Sequence, residues 1–324
     1  MRRKLKIAVI VDEATTLGLS FDAQLIHLTP RNWLWNINRY KPDFLLVESA
    51  WRGHHNRWRR KIVDLDINIH DKSLEKLVSY CKKRSIPTVF WNKEDPIHFD
   101  RFSHTAQLFE YIYTTDIHCI PHYLSLNANF KHIDVLMFAA QPQIHHSRKA
   151  QKRLANLAFL GGYYGNELKS RSEEQKKILS EIEDQNLIIF DRFWQNETPC
   201  SFPLAFRKYC QPGIPAKDIH NLYKQYHLYL NFNTVQSSKT MLSRRVFELA
   251  ACASPMLSSP SVAIDAIFGS YIPQIHDAKL ASVICNEYLK DHELRHQDAI
   301  NIQQIVLDSH TWQHRLDQII KTLA

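Results

Sequence analysis

Glycine is scarce in this chain, seven residues in 324, and the sequence holds no internal repeat and no low-complexity tract. Six cysteines, at positions 81, 119, 200, 210, 252 and 285, form no C-x-x-C pair and no dense cluster. That spacing argues against a disulfide framework and for free thiols in a reducing compartment. No apolar segment approaches the length of a membrane span. The opening MRRKLKIAVIVDE has basic residues and then a short apolar run closed by Asp12 and Glu13, so it reads as a first strand rather than a signal peptide. These absences lead us to expect a cytoplasmic protein with no membrane span.

What is present is a globular composition: 44% hydrophobic residues, enough to fill two cores, in a length that suits two α/β domains of about 150 residues each. Apolar runs alternate with helical patterns: KIAVIV, a segment near Pro30 to Tyr40, FLLVES, a helix near Ser73 to Arg84, TVFWN and YIYTTD. The alternation predicts a parallel sheet with crossover helices. Gln141 to Arg153, polar and basic after the apolar VLMFAA, reads as a linker, which divides the chain into residues 1–147 and 148–324. Beyond it we expect a strand at LAFL, a helix from about Ser170 to Glu183, a strand at NLIIFD, a helix from Lys217 to Gln225 and a strand near Tyr226 to Asn233. A last helix, around Trp312 to Ile320, is expected near the domain junction.

The formal charge of +8 is uneven: residues 1–150 hold 22 Lys and Arg against 15 Asp and Glu, a surplus of +7, and the remainder 19 against 18. Such a surplus attracts an anionic acceptor, a nucleic acid or a membrane surface. Its densest part, WRGHHNRWRRK from Trp51 to Lys61, alternates aromatics with arginines and histidines. That pattern suits stacking on sugars or bases, or simply a solvated basic loop.

The most informative stretch runs from Asn231 to Ser259, NFNTVQSSKTMLSRRVFELAACASPMLSS. A buried strand leads into a helix that Ser237, Ser238 or Thr240 is placed to cap, with Leu242, Val246, Leu249 and Ala250 on its apolar side. Arg244 and Glu248 share a face. Backbone amides at a helix start, with Lys239, Arg244 and Arg245 nearby, suit a pyrophosphate, and a carboxylate one turn deeper accepts hydrogen bonds from ribose hydroxyls. The plain alternative is an amphipathic helix with a solvated Arg–Glu pair. Three of the seven glycines, Gly161, Gly162 and Gly165, cluster after the strand LAFL, a turn expected to need positive φ or close approach of a ligand.

Strand, polar loop, S-R-R-V-F-E, small residues and a second apolar run resemble the C-terminal domain of GT-B glycosyltransferases of the family 1-like kind, and most nearly the CgeB-like (spore maturation) branch. The string F-W-N-K-E-D-P-I-H-F from Phe90, with Glu48-Ser49-Ala50-Trp51 and Thr114-Thr115-Asp116, fits that branch too. The resemblance implies an α/β fold of two Rossmann-like domains facing a cleft. It implies that Glu248 contacts a donor ribose, that Lys239, Arg244 or Arg245 contacts its phosphates and that the Gly161–Gly162 loop faces them. Pro212-Gly213-Ile214-Pro215 resembles the segment that holds the nucleotide base, with the backbone beside Ile214 pairing to it. Two departures matter: Thr240 stands where many retaining enzymes carry a second glutamate, which leaves the stereochemical outcome open, and Ala253-Ser254 stands where a glycine usually follows the helix.

The implied activity is transfer of a sugar from a nucleotide-diphosphate donor, a UDP-sugar foremost, to a hydroxyl of a surface glycan or other cytoplasmic acceptor, an anionic one included. A hexosyltransferase of this kind needs neither cofactor nor metal if Lys239 and Arg244 or Arg245 reach the leaving diphosphate. A carboxylate or imidazole must take the hydroxyl's proton, and Asp95 is the first candidate, followed by Glu94 and His98, because strand ends opening into polar loops carry α/β chemistry. Glu48, Trp51 and Arg52 complete the acceptor side. Two other functions remain: a nucleic-acid-modifying glycosyltransferase or nucleic-acid-binding protein, and a catalytically inactive nucleotide-sugar binder. His292-Glu293-Leu294-Arg295-His296 matches the H-E-x-x-H zinc motif, which we read as coincidence, assigning no metal.

Overall fold

The computed structural model describes residues 4–63, 72–126, 129–148, 153–194 and 200–324. The chain divides into two compact units, one of residues 1–139 with 312–324 and one of residues 140–311. The first opens with strand β1 (Lys6–Ile10), helix α1 (Glu13–Leu19), β2 (Gln24–His27), α2 (Trp33–Tyr40) and β3 (Phe44–Glu48). It continues through α3 (Ser73–Lys83), β4 (Thr88–Asn92), α4 (Phe99–Ala106), β5 (Tyr111–Thr114), α5 (Ile120–Ser125) and β6 (His132–Val135). The six strands form one parallel sheet in the order β2-β1-β3-β4-β5-β6.

Helices cover both faces of that sheet, which is why β3 and β4 are buried at every position and read as unbroken apolar runs. Alternate residues serve opposite cores: Ile7 and Val9 pack with Leu19 and Leu46, whereas Ala8 and Ile10 pack with Leu74, Leu77 and Phe102. Truncating a side chain as buried as Leu77 costs about 2–5 kcal/mol.

The second unit runs β7 (Leu154–Gly161), α6 (Lys169–Ile182), β8 (Leu187–Asp191), β9 (Cys210–Pro212), α7 (Ile219–Leu222) and β10 (Tyr226–Asn231). Then follow α8 (Arg244–Ala251), β11 (Met256–Ser258), α9 (Val262–Phe268), α10 (Ala281–Lys290) and α11 (His292–Ser309). Its sheet is again wholly parallel, in the order β11-β10-β7-β8-β9. In each sheet the strand order reverses once, between β1 and β3 and between β7 and β10. In open α/β sheets, ligands gather outside the carboxyl ends of the strands at such a reversal.

The last helix, α12 (Trp312–Leu323), packs in the first unit, where Trp312, Leu316 and Ile319 join the core beneath β1. Gly18 of α1 makes room for it: a Cβ there would lie 2.1 Å from the Trp312 indole nitrogen. The division therefore falls at Ala139–Ala140 instead of 147–148, and the C-terminal helix groups with residues 1–139. Residues 141–145, placed in the expected linker, belong to the second unit and form a closed turn: Gln141 O accepts from the amides of Ile144 and His145, and Gln141 N–H donates to His145 Nδ1.

Candidate functional site

A cleft of about 460 Å³ opens at the carboxyl ends of β7, β8 and β9, lined by Leu160 and Gly161, Phe190, Arg192 and Trp194, Pro212 to Ala216, and Arg244 and Arg245 of α8. That size lies within the range of small-ligand pockets. Pro212 ends β9 and Gly213 turns the chain against β8, where a Cβ would sit 2.6 Å from Asp191 O. Ile214 and Pro215 follow and form one wall. Gly161 lines the cleft, Gly162 accepts a hydrogen bond from Arg171 at 3.4 Å, and Gly165 alone of the three has positive φ, at 55°.

The charge here is one-sided. Arg192, Arg244 and Arg245 line the cleft and no carboxylate does, among the described residues. Arg171 lies behind them, buried, its guanidinium over the Tyr164 ring. Burial, and then neighbouring Arg245 and Arg192, push its pKa down to about 10. Arg245 is likewise pushed down, by burial first and by Arg192 and Arg244. Its Nε–H is buried with no hydrogen-bond partner. A buried donor left unpaired costs about 1–3 kcal/mol, so this one marks a place where an acceptor belongs.

Helix α8 starts later than the sequence suggested. Ser238 instead ties a turn through its Oγ, which accepts from the amides of Thr240 and Met241, and Ser243, in extended conformation, precedes the helix. Leu242 therefore lies outside it. Lys239 is exposed on that turn and is not among the residues lining the cleft. Glu248, one turn into the helix, is buried and also stands off the cleft wall. Its Oε1 meets Arg244 Nε at 3.1 Å and its Oε2 accepts from Tyr223 OH at 2.6 Å. His145 Nε2 lies 3.9 Å from Oε1, and burial pushes that imidazole down to about 4, so it is neutral and faces Glu248 as a donor. Glu248 thus pairs with Arg244, as their shared helix face suggested, but from a buried rather than a solvated position.

In the first unit the candidate residues gather at the carboxyl edge of β1, β3, β4 and β5. Lys93, just past β4, donates to Glu48 at 2.9 Å and to Asp12. Glu48 is fully buried, accepts also from Thr15 Oγ1 at 2.6 Å and from the Asp12 amide at 2.5 Å, and is raised to about 7 by burial and then by Asp12. Asp95 is fully buried too. Its carboxylate accepts from Asn92 at 2.6 Å, Thr114 at 2.6 Å and Tyr123 at 2.9 Å, and burial raises it to about 7. Fully buried and already accepting at both oxygens, Asp95 ties the ends of β4 and β5 to α5.

Glu94 is the half-buried carboxylate of that loop, with no hydrogen bond to its side chain among the described residues. Trp51, 38% exposed, stands edge-on to His98 with ring centroids 5.1 Å apart, and Arg52 is exposed beside it. The other tryptophan of the basic string, Trp58, belongs to the core and donates to Leu28 O at 2.8 Å. Its stacking role is lost to packing. Arg192 and Trp194 were missed, although both stand in D-R-F-W directly after β8, the position that signals a site in a parallel sheet. His292 accepts at Nδ1 from Arg295, and no three His, Cys, Asp or Glu side chains gather as for a metal ion, among the described residues.

Comparison with known proteins agrees with this topology. Residues 171–321 match the family model described as glycosyl transferase-like. An α-glucosyltransferase solved with UDP and a 13-mer DNA superposes with a TM-score of 0.65 at 8% identity, over 99% of this chain and 100% of that one. Sucrose-phosphate synthase from Thermosynechococcus elongatus gives 0.60 at 8% identity over 98% of each chain. Anabaena HepE, solved with UDP and glucose, gives 0.59 at 11% identity over 99% of each. No curated protein sequence matches the chain. The fold is that of the GT-B glycosyltransferases: two parallel α/β domains.

Proposed function

We propose that the protein transfers a hexosyl unit from a nucleotide-diphosphate sugar, a UDP-sugar foremost, to a hydroxyl acceptor. The observation that carries this reading is the unpaired Nε–H of Arg245, buried among Arg171, Arg192 and Arg244 at the start of a helix. A diphosphate supplies the missing acceptor and the missing negative charge, and helix amides add to its binding. Those guanidiniums stabilise the charge that develops on the leaving diphosphate, the part a divalent cation plays elsewhere. Ile214 and Pro215 form a flat apolar wall for the base, and Trp194 offers it a ring. Glu248 holds Arg244 in place and Lys239 adds charge from the exposed turn.

In the first unit Glu94 is assigned the acceptor's proton and Trp51 a sugar or base face, with His98 and Arg52 beside them; Asp95 and Glu48 keep the loops in place. The surplus of +7 on residues 1–150 favours an anionic acceptor. Nucleic acid is the second reading, on that charge and on the likeness to a glucosyltransferase solved with DNA. The family 1-like, CgeB-like branch and a cytoplasmic setting belong to this proposal as well.

Calorimetry with UDP tests the donor site. Saturable binding is expected, weakened by roughly 10- to 100-fold in Arg245→Ala, the loss of a hydrogen bond to a charged group. Equal affinity in the variant removes Arg245 from the site, and no binding by either protein refutes a UDP donor.

A further inference from the structure

At the opposite, amino-terminal edge of the second sheet lies another cleft, of about 420 Å³, which the proposed chemistry does not use. Arg153, just before β7, and His227, early in β10, form its floor, and His292, Arg295, His296 and Gln303 of α11 its wall. No carboxylate lines it, among the described residues. Among the described residues Arg153 donates only to uncharged acceptors, Tyr226 O at 2.9 Å, Ala253 O at 2.8 Å and Ser254 Oγ at 3.3 Å. Arg295 is 5% exposed and donates to the carbonyls of Tyr288 and Leu289, to that of Asp291 at 3.5 Å, and to His292 Nδ1 at 2.8 Å.

The last contact fixes the imidazole. A guanidinium has no acceptor, so His292 accepts at Nδ1 and its proton resides on Nε2, presented as a donor. The ring meets that of His227 edge-on with centroids 6.2 Å apart. His296 follows one turn later, exposed. Two guanidiniums thus share one concave site with imidazoles, and burial and then nearby Arg295 weigh on the charge of Arg153. The Asp291 carboxylate acts on Arg295 from outside the cleft, but neither guanidinium donates a hydrogen bond to a carboxylate, among the described residues, and two partly desolvated cations on one cleft are favoured by a bound anion.

We propose that this cleft binds a small phosphate-type oxyanion between Arg153 and Arg295, with His292 and His296 as further donors. It is a second anion site, separate from the nucleotide cleft at the other end of the same strands. The H-E-L-R-H string then has a use other than metal binding: its i, i+3 and i+4 residues line one wall.

The test is calorimetric titration of the full chain with inorganic phosphate, in the Arg245→Ala background so that the other cleft is weakened. Saturable binding is expected. Adding His296→Glu places a carboxylate in the cleft and is expected to weaken binding by roughly ten-fold or more through like-charge repulsion, with an unchanged unfolding midpoint in phosphate-free buffer. Arg295→Gln serves as the second variant and is expected to lower affinity similarly. Phosphate binding that persists unchanged in both variants overturns the proposal, and so does absence of phosphate binding to the Arg245→Ala protein.

Discussion

The two sheets end in polar edges of opposite design. At the carboxyl edge of the first, Lys93 sits between Asp12 and Glu48, Glu48 is closed by Thr15, and Asp95 is closed by Asn92, Thr114 and Tyr123. Charge in these two clusters is spent within the protein. At the same edge of the second, guanidiniums outnumber carboxylates and one donor has no partner. A self-satisfied network holds loops in place, whereas an unsatisfied one is shaped for a ligand that brings its own charge. Perturbed charges alone do not distinguish these two edges; hydrogen-bond completeness and the balance of opposite charges together do.

The largest expected effect separates them directly. Lys93→Met leaves Glu48 buried without its cation, and breaking a buried ion pair from one side costs about 3–5 kcal/mol, read as a lower unfolding free energy in urea. Arg245→Ala in the ligand-free protein is expected to lose little, because it removes a donor that nothing satisfies. Equal losses in the two variants would erase the distinction between scaffold and ligand site.

Next is turnover. If Glu94 takes the acceptor's proton, Glu94→Gln lowers kcat by roughly 100-fold or more while leaving UDP affinity unchanged. A rate within two- or three-fold of the parent, within the scatter of any conservative change, removes Glu94 from the chemistry. His98→Gln then becomes the variant to examine, since His98 lies against Trp51 in the same loop.

Much of the fold was legible because parallel strands buried on both faces write themselves as apolar runs: FLLVE, TVFWN and LIIFD are strands where the pattern placed them. Helix α3 and helix α6 fell within a residue or two of their expected limits. The pairing of α12 with the first unit was not legible, since it depends on the space over Gly18, which no local pattern records. Site residues divided similarly. The arginines of S-R-R-V-F-E line the cleft, yet Glu248 and Asp95 turned inward, and side-chain direction at a strand or helix end follows from neighbours such as Tyr223 and Thr114 that lie distant in sequence.

The last expected effect, gradual in its slope, concerns pH. Burial raises Asp95 to about 7, as it does Glu48, while an unfolded aspartate titrates near 3.8. Between these values the folded protein binds protons that the unfolded chain has released. The share of stability tied to Asp95 is therefore fully present below about pH 4 and is lost as pH rises through about 7. One such group contributes a slope of at most about 1.4 kcal/mol per pH unit. Asp95→Asn keeps the shape of the neutral carboxyl: its carbonyl accepts from Asn92, and its amide donates to hydroxyl oxygens of Thr114 and Tyr123, which accept as readily as they donate. Urea unfolding from pH 4 to 7.5 is expected to show a flatter dependence for this variant than for the parent, with Glu48→Gln as the parallel case. Superimposable slopes would mean that Asp95 stays ionised within its hydrogen bonds, and the first edge would then carry net charge that its network does not neutralise.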